Sequence, residues 1–138
     1  MVPNLHRVGI MHIEDHEGWH EECGIVGIYG DERASEKVYL GLYALQHRGQ
    51  ESAGIASADG TCIACHKGQG LVWSVFSDPR TMPGLKGHAA IGHNRYSTRG
   101  VSTIVNAQPI VVECRQGTMA LAHNGTITNA SSLRRLLH

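Results

Sequence analysis

The sequence predicts an α+β fold in which short antiparallel strands, joined by tight turns, alternate with a few amphipathic helices. Three observations predict it. The glycine-bearing pairs Asp59-Gly60 and Gln116-Gly117 each separate two short strand-like runs, the pattern of a hairpin. The runs Ile25–Ile28 and Ala89–Gly92 are apolar and too short for helices, so they read as buried strands. Val38, Leu42 and Leu45 recur at spacings of four and three, which places them on one helical face.

Composition narrows the functional classes. With 138 residues the chain has the size of one compact domain and is too short for two ordinary enzyme domains. Twelve basic side chains balance twelve acidic ones, so nothing electrostatic points to nucleic acid or a membrane surface. Cys23, Cys62, Cys65 and Cys114 sit without a secretory context and are expected as reduced thiols. No apolar run approaches the ~18 residues of a membrane-spanning helix. The expected compartment is the cytoplasm.

Taken in order, residues 1–22 form an acidic leader with Glu14, Asp15, Glu17, Glu21 and Glu22 against Arg7, and it lacks the apolar centre of a signal peptide. Within it His12, His16 and His20 have the spacing of ligands on one helix face, but Gly18 interrupts that helix and no partner ligand is evident. A removable leader is the simpler account. Cys23 to Tyr29 reads as a strand and Ser35 to Gln46 as a helix, slightly weakened by Gly41. Gln46 to Ser52 is a polar loop. Ala53–Ser57 and Cys62–Lys67 are the arms of a hairpin whose Asp59-Gly60 turn tolerates positive φ at both central residues. Leu71 to Phe76 reads as a helical turn or a strand, and His88 to Gly92 as a strand delivering the polar segment His93 to Gly100. Ile110–Glu113 and Thr118–Ala122 make a further strand pair that leads into His123-Asn124-Gly125. Asn129 or Ser131 can cap a last helix with Leu133, Leu136 and Leu137 on its apolar face.

Two motifs invite chemistry. Cys62-Ile63-Ala64-Cys65-His66 matches the pattern of covalent haem attachment, yet it falls in a hairpin strand where Cys62 and Cys65 would point to opposite faces. A zinc site lacks a second ligand pair at finger spacing. The other motif is Glu22-Cys23-Gly24. Cleavage before Cys23 would place a thiol and a free α-amine on one residue, and a terminal amine, with a reference pKa of roughly 7.7–8.0, can act as an unprotonated base near neutral pH. Cys23 is therefore the candidate nucleophile, activated by its own amine.

Four separated segments share one pattern: Cys23-Gly24-Ile25-Val26-Gly27, Gln46-His47-Arg48-Gly49-Gln50-Glu51-Ser52-Ala53-Gly54, His93-Asn94-Arg95-Tyr96-Ser97-Thr98, and Ala122-His123-Asn124-Gly125. Together they resemble the class II glutamine amidotransferase (glutaminase) domain of the N-terminal nucleophile family. The resemblance covers nearly everything from Cys23 onward. His47, Tyr96 and Gln108 resemble the branch that passes ammonia to phosphoribosylpyrophosphate; glucosamine-6-phosphate synthases typically carry tyrosine, tryptophan and histidine there. Asparagine synthetases usually expose their cysteine directly after the initiator methionine.

The resemblance implies a four-layer αββα sandwich over residues 23–138, incomplete at its C-terminal end, with residues 1–22 as a propeptide. It implies release of ammonia from glutamine through a thioester on Cys23, with Asn124 and Gly125 as oxyanion donors. Arg95, completed by Tyr96 and Thr98, would hold the substrate carboxylate, and Arg48 would support the pocket near the cysteine. No cofactor is expected in this chain. Magnesium, and the iron–sulfur cluster of some members, would belong to a phosphoribosyltransferase domain that binds phosphoribosylpyrophosphate and is absent here. The aspartate that would bind the substrate amino group is expected beyond His138. The complete enzyme is expected to be a homo-oligomer without nucleic-acid or membrane partners. Two other readings stay open: the glutaminase domain of a glucosamine-6-phosphate synthase, and a noncatalytic fragment.

Overall fold

The computed structural model describes residues 23–96, 103–125 and 127–137. The leader, its histidines and Thr98 lie outside these residues.

A four-stranded antiparallel sheet forms the centre, in the order β1-β4-β2-β3. Its strands are β1 (Gly24–Tyr29), β2 (Ser52–Ala58), β3 (Ile63–Gln69) and β4 (Ala89–Arg95). One face is covered by helix α1 (Ala34–Ala44) and the short helix α2 (Val72–Val75). A further short helix, α3 (Thr81–Gly84), precedes β4. A two-stranded ribbon of β5 (Ile110–Cys114) and β6 (Gly117–Leu121) touches the outer strand β3, and helix α4 (Ala130–Leu137) follows.

The core lies between α1, α2 and the sheet. Val38 and Leu42, one helical turn apart on α1, are fully buried with Ile55 of β2 and Val72 of α2, while Phe76 and Leu85 close the sides. Gly92 of β4 leaves room for this packing, since a Cβ there would lie 2.5 Å from Val38 and 2.7 Å from Leu42. The fold is α+β, as expected: helices α1 and α2 cover one face of the four-stranded sheet, and the β5–β6 ribbon meets its outer strand β3.

The structure changes three local expectations. The Asp59 loop is not a two-residue turn with positive φ throughout; only Gly60 has positive φ, and the Asp59 carboxylate accepts the backbone N–H groups of Thr61 and Cys62 at 2.8 and 2.9 Å. The side chain thus substitutes for part of the backbone turn. Strand β4 does not stop at Gly92. His93 pairs with Ile25 and Gly54, and Asn94 with Gly24 and Ala53, so the first part of the predicted polar segment is sheet interior. Helix α1 ends at Ala44, where a separate 3-10 turn, Gln46–Arg48, redirects the chain.

Leu42→Ala should cost about 2–5 kcal/mol, because a wholly buried side chain is removed from a packed helix–sheet seam. Leu136→Ala should change stability by less than about 0.5 kcal/mol, since Leu136 is 82% exposed. Denaturant midpoints of the two variants measure the contrast; equal losses would mean that the core has been placed wrongly.

Candidate active site

Cys23 stands immediately before β1, at the end of the sheet where the 3-10 turn, β4 and the segment after β6 meet. Arg48 Nε donates to the Cys23 carbonyl at 3.1 Å. Asn124 Nδ2 donates to the same oxygen at 3.3 Å. The Cys23 thiol lies 3.6 Å from the Tyr96 carbonyl, which accepts from it. Residues 25, 73 and 101 positions away in sequence thus converge on one cysteine. Arg48, Tyr96 and Asn124, singled out in the sequence, are brought together around Cys23. Gly125, with a φ of +142°, follows Asn124 in an exposed turn.

The corner carrying Arg48 is held by Asn94. This side chain is fully buried, and its Nδ2 donates to the Leu45 carbonyl at 2.7 Å and the Gly49 carbonyl at 3.5 Å. Room for it comes from Gly24, where a Cβ would lie only 2.2 Å from Asn94 Oδ1. Gln46 braces the same corner: its Oε1 accepts the Val72 N–H at 2.6 Å, and its Nε2 donates to the Gly49 carbonyl.

Arg95 is paired within the chain. Its Nη1 donates to Glu51 Oε1 at 3.0 Å, and the two side chains are only 14% and 16% exposed. The Glu51 N–H in turn donates to the Arg95 carbonyl at 3.0 Å. A guanidinium has five N–H donors in a fixed fork, so pairing through Nη1 orients the group without exhausting it. Sequence reasoning assigned Arg95 to a substrate carboxylate and passed over Glu51; an acidic residue three positions before Gly54 of β2 was the available signal.

The haem-like motif does not converge. Cys62 lies in the exposed loop and Cys65 is exposed on β3, while the His66 ring is 3.0 Å from the Val75 carbonyl and packs on Phe76 beneath α2. Among the described residues no group of three or more His, Cys, Asp or Glu side chains is placed to hold a metal. No helix among them is long and apolar enough to cross a membrane.

No protein-family model matches the chain. Individual relatives do. It is 54% identical over 118 residues to an amidophosphoribosyltransferase of Synechocystis, covering 85% of this chain. The solved structure of a glutamine phosphoribosylpyrophosphate amidotransferase from Bacillus subtilis, complexed with ADP and GMP, superposes over 82% of the chain with a TM-score of 0.74 and 45% identity. A second structure, described as the allosteric regulatory enzyme of purine biosynthesis, gives 0.76 and 46% over the same share. By sequence and by fold the chain belongs with the amidophosphoribosyltransferases. It corresponds to their N-terminal part, spanning about a quarter (24%) of the length of the Synechocystis relative and of each solved structure.

Beside the Cys23 site lies a buried titratable group to which the sequence assigned no role. His93 is 0% exposed, and neither ring nitrogen makes a hydrogen bond of ordinary geometry. Burial pushes its imidazole down from 6.5 to about 4; the adjacent His123 backbone works the other way, and the Arg95 charge adds to the lowering. Between these two values the unfolded chain binds a proton that the folded chain refuses, so stability falls as pH drops through that window and levels off below it. Asp31, Asp59 and Asp78, each held below the usual carboxylate range chiefly by hydrogen bonds, lose their contributions only beneath it. Between about pH 7.5 and about pH 4.5 the protein should therefore lose about 2–3 kcal/mol of stability that His93→Gln does not lose. Urea unfolding at the two pH values checks this, and parallel pH profiles would refute it.

Proposed function

We propose that this chain supplies the glutaminase chemistry of an amidophosphoribosyltransferase, with Cys23 as nucleophile. The observation that carries the reading is the convergence of Arg48 Nε and Asn124 Nδ2 on the Cys23 carbonyl, beside a thiol directed at the Tyr96 backbone. This is a cysteine held rigidly by its own backbone, with an amide donor and a guanidinium within its reach.

Removal of residues 1–22 as a propeptide would make Cys23 the first residue of a partial glutaminase domain, residues 23–138. Its α-amine would take the thiol proton, and the thiolate would attack the side-chain amide carbon of glutamine. The resulting oxyanion requires preorganised N–H donors. The Asn124 side chain, turned from the Cys23 carbonyl toward the substrate, and the Gly125 backbone N–H supply them on this reading. Collapse breaks the C–N bond, and ammonia leaves with the proton held by the amine. Water then hydrolyses the thioester, giving glutamate and the free thiol. Arg95, oriented by Glu51, would bind the substrate α-carboxylate, with Tyr96 and Thr98 completing the pocket.

In the whole enzyme the ammonia would displace pyrophosphate from phosphoribosylpyrophosphate to form phosphoribosylamine, the first committed step of purine synthesis. Magnesium, and an iron–sulfur cluster where there is one, belong to that second reaction's domain on this reading; the glutaminase steps use neither. A cytoplasmic homo-oligomer fits the same account.

The test combines mass and activity. Active protein should have lost residues 1–22 by intact-mass measurement, and Cys23→Ser should lower glutamine-dependent turnover on the order of 10³-fold or more. Cys62→Ala and Cys65→Ala should leave turnover within about two-fold, as loop and surface substitutions do. Full activity with the leader attached would sink the terminal-amine step, and an active Cys23→Ser protein would sink the nucleophile.

A further inference from the structure

We propose that Gln108 is a positioning residue for the oxyanion-stabilising turn at Asn124-Gly125; the proposal rests on the glutaminase reading above.

The turn needs support from elsewhere. His123, Asn124 and Gly125 are all exposed, so packing does not hold them. Gln108 does. Its Oε1 accepts the His123 backbone N–H at 2.6 Å, and its Nε2 donates to the His123 carbonyl at 3.1 Å. A backbone N–H can only donate and a carbonyl can only accept, so these two partners dictate the orientation of the carboxamide. One side chain thereby satisfies both backbone groups of the residue next to Asn124, as a neighbouring strand would. An imidazole, with its two nitrogens pointing in different directions, cannot make this pair of bonds.

Gln108 is itself built into the sheet. Lys67 of β3 donates from Nζ to the Ala107 carbonyl at 2.7 Å and the Pro109 carbonyl at 3.2 Å, on either side of it. Ala107 and Pro109 are buried. The Gln108 backbone lies so close to β2 that a Cβ on Gly54 would be 2.3 Å from its carbonyl oxygen. Contacts therefore run without a gap from the four-stranded sheet through Lys67 and residues 107–109 to the His123 backbone, and from Asn124 to Cys23. The sheet that fixes the nucleophile also fixes the donor opposite it.

An oxyanion donor acts chiefly in the transition state, so a displaced turn should lower kcat and leave the glutamine KM nearly unchanged. Gln108→Glu keeps the acceptor for the His123 N–H but sets a carboxylate oxygen against the His123 carbonyl. Gln108→Ala removes both bonds. In the protein as expressed from its gene, both variants should lose roughly 10- to 100-fold in glutaminase kcat, a part of the 10²–10³-fold cost of losing an oxyanion donor altogether. KM should stay within about two-fold, with rates normalised to thiol titration of Cys23.

The deciding readout is inhibition by glutamate γ-semialdehyde, which adds the thiol to form a hemithioacetal whose oxygen occupies the oxyanion position. Its Ki should rise in step with the loss in kcat/KM. A merely structural defect would lower the active fraction and leave the Ki unchanged, and that outcome overturns the proposal. If the Gln108 variants do not fold, Lys67→Met, which removes the seat and spares the carboxamide, should raise the Ki by a smaller factor. Unfolding of all three assigns these contacts to stability alone and also overturns it. Absence of glutamine hydrolysis in the unsubstituted protein is a different failure, which strikes the glutaminase reading itself.

Discussion

The buried carboxamide of Asn94 is the constraint on which the cysteine site depends. It sits in the middle of a sheet, where a polar side chain is costly unless its hydrogen bonds are made. Its Nδ2 donates to the carbonyls of Leu45 and Gly49, at the two ends of the turn that carries Arg48, while its Oδ1 is buried without a partner. The sheet and the corner are therefore fixed to one another. Because Gly24 makes way for the same side chain, the residue after Cys23 is drawn into the arrangement as well.

From this corner the rest of the site follows in two directions. Along β4, the next residues are Arg95, tied to Glu51 by both side chain and backbone, and Tyr96, whose carbonyl meets the thiol. Across the sheet, the 107–109 segment and Gln108 bring in the Asn124 turn. Buried polar residues on the central strand, which would be liabilities in an ordinary core, here have their places set by the site. Not all of their polar atoms are satisfied: both ring nitrogens of His93, Asn94 Oδ1 and the hydroxyls of Ser52 and Ser57 on β2 are buried without a hydrogen-bond partner of ordinary geometry, and burial holds the His93 imidazole neutral to lower pH.

Much of this was legible in the sequence. The spacing of Val38 and Leu42 announced α1, and the glycine turns announced both hairpins, because periodicity and turn chemistry are local. Cys23, Arg48, Tyr96 and Asn124 could be picked out from four separated segments, although their mutual distances could not. What stayed hidden was whatever depends on contacts far apart in the chain. Asn94 and His93 read as loop residues because polar side chains rarely line a central strand, and only pairing on both sides makes them sheet. Glu51 and Gln108 are single polar residues whose partners lie 44 and 15 positions away. The α4 leucines were expected on an apolar face, but no residue of α4 is buried, and Leu133, Leu136 and Leu137 are all exposed.

The way Cys23 is held bears on the proposed removal of residues 1–22. Every described bond to this residue falls on its carbonyl or its thiol, and its amide nitrogen takes part in none of them. Among the described residues, the bonds that hold Cys23 therefore do not involve its amide nitrogen. Hydrolysis of the Cys23 amide, as proposed above, would not remove the bonds from Arg48 and Asn124. On the reading proposed above, unmasking the amine would thus be a chemical event that leaves the described bonds of the Cys23 carbonyl and thiol in place.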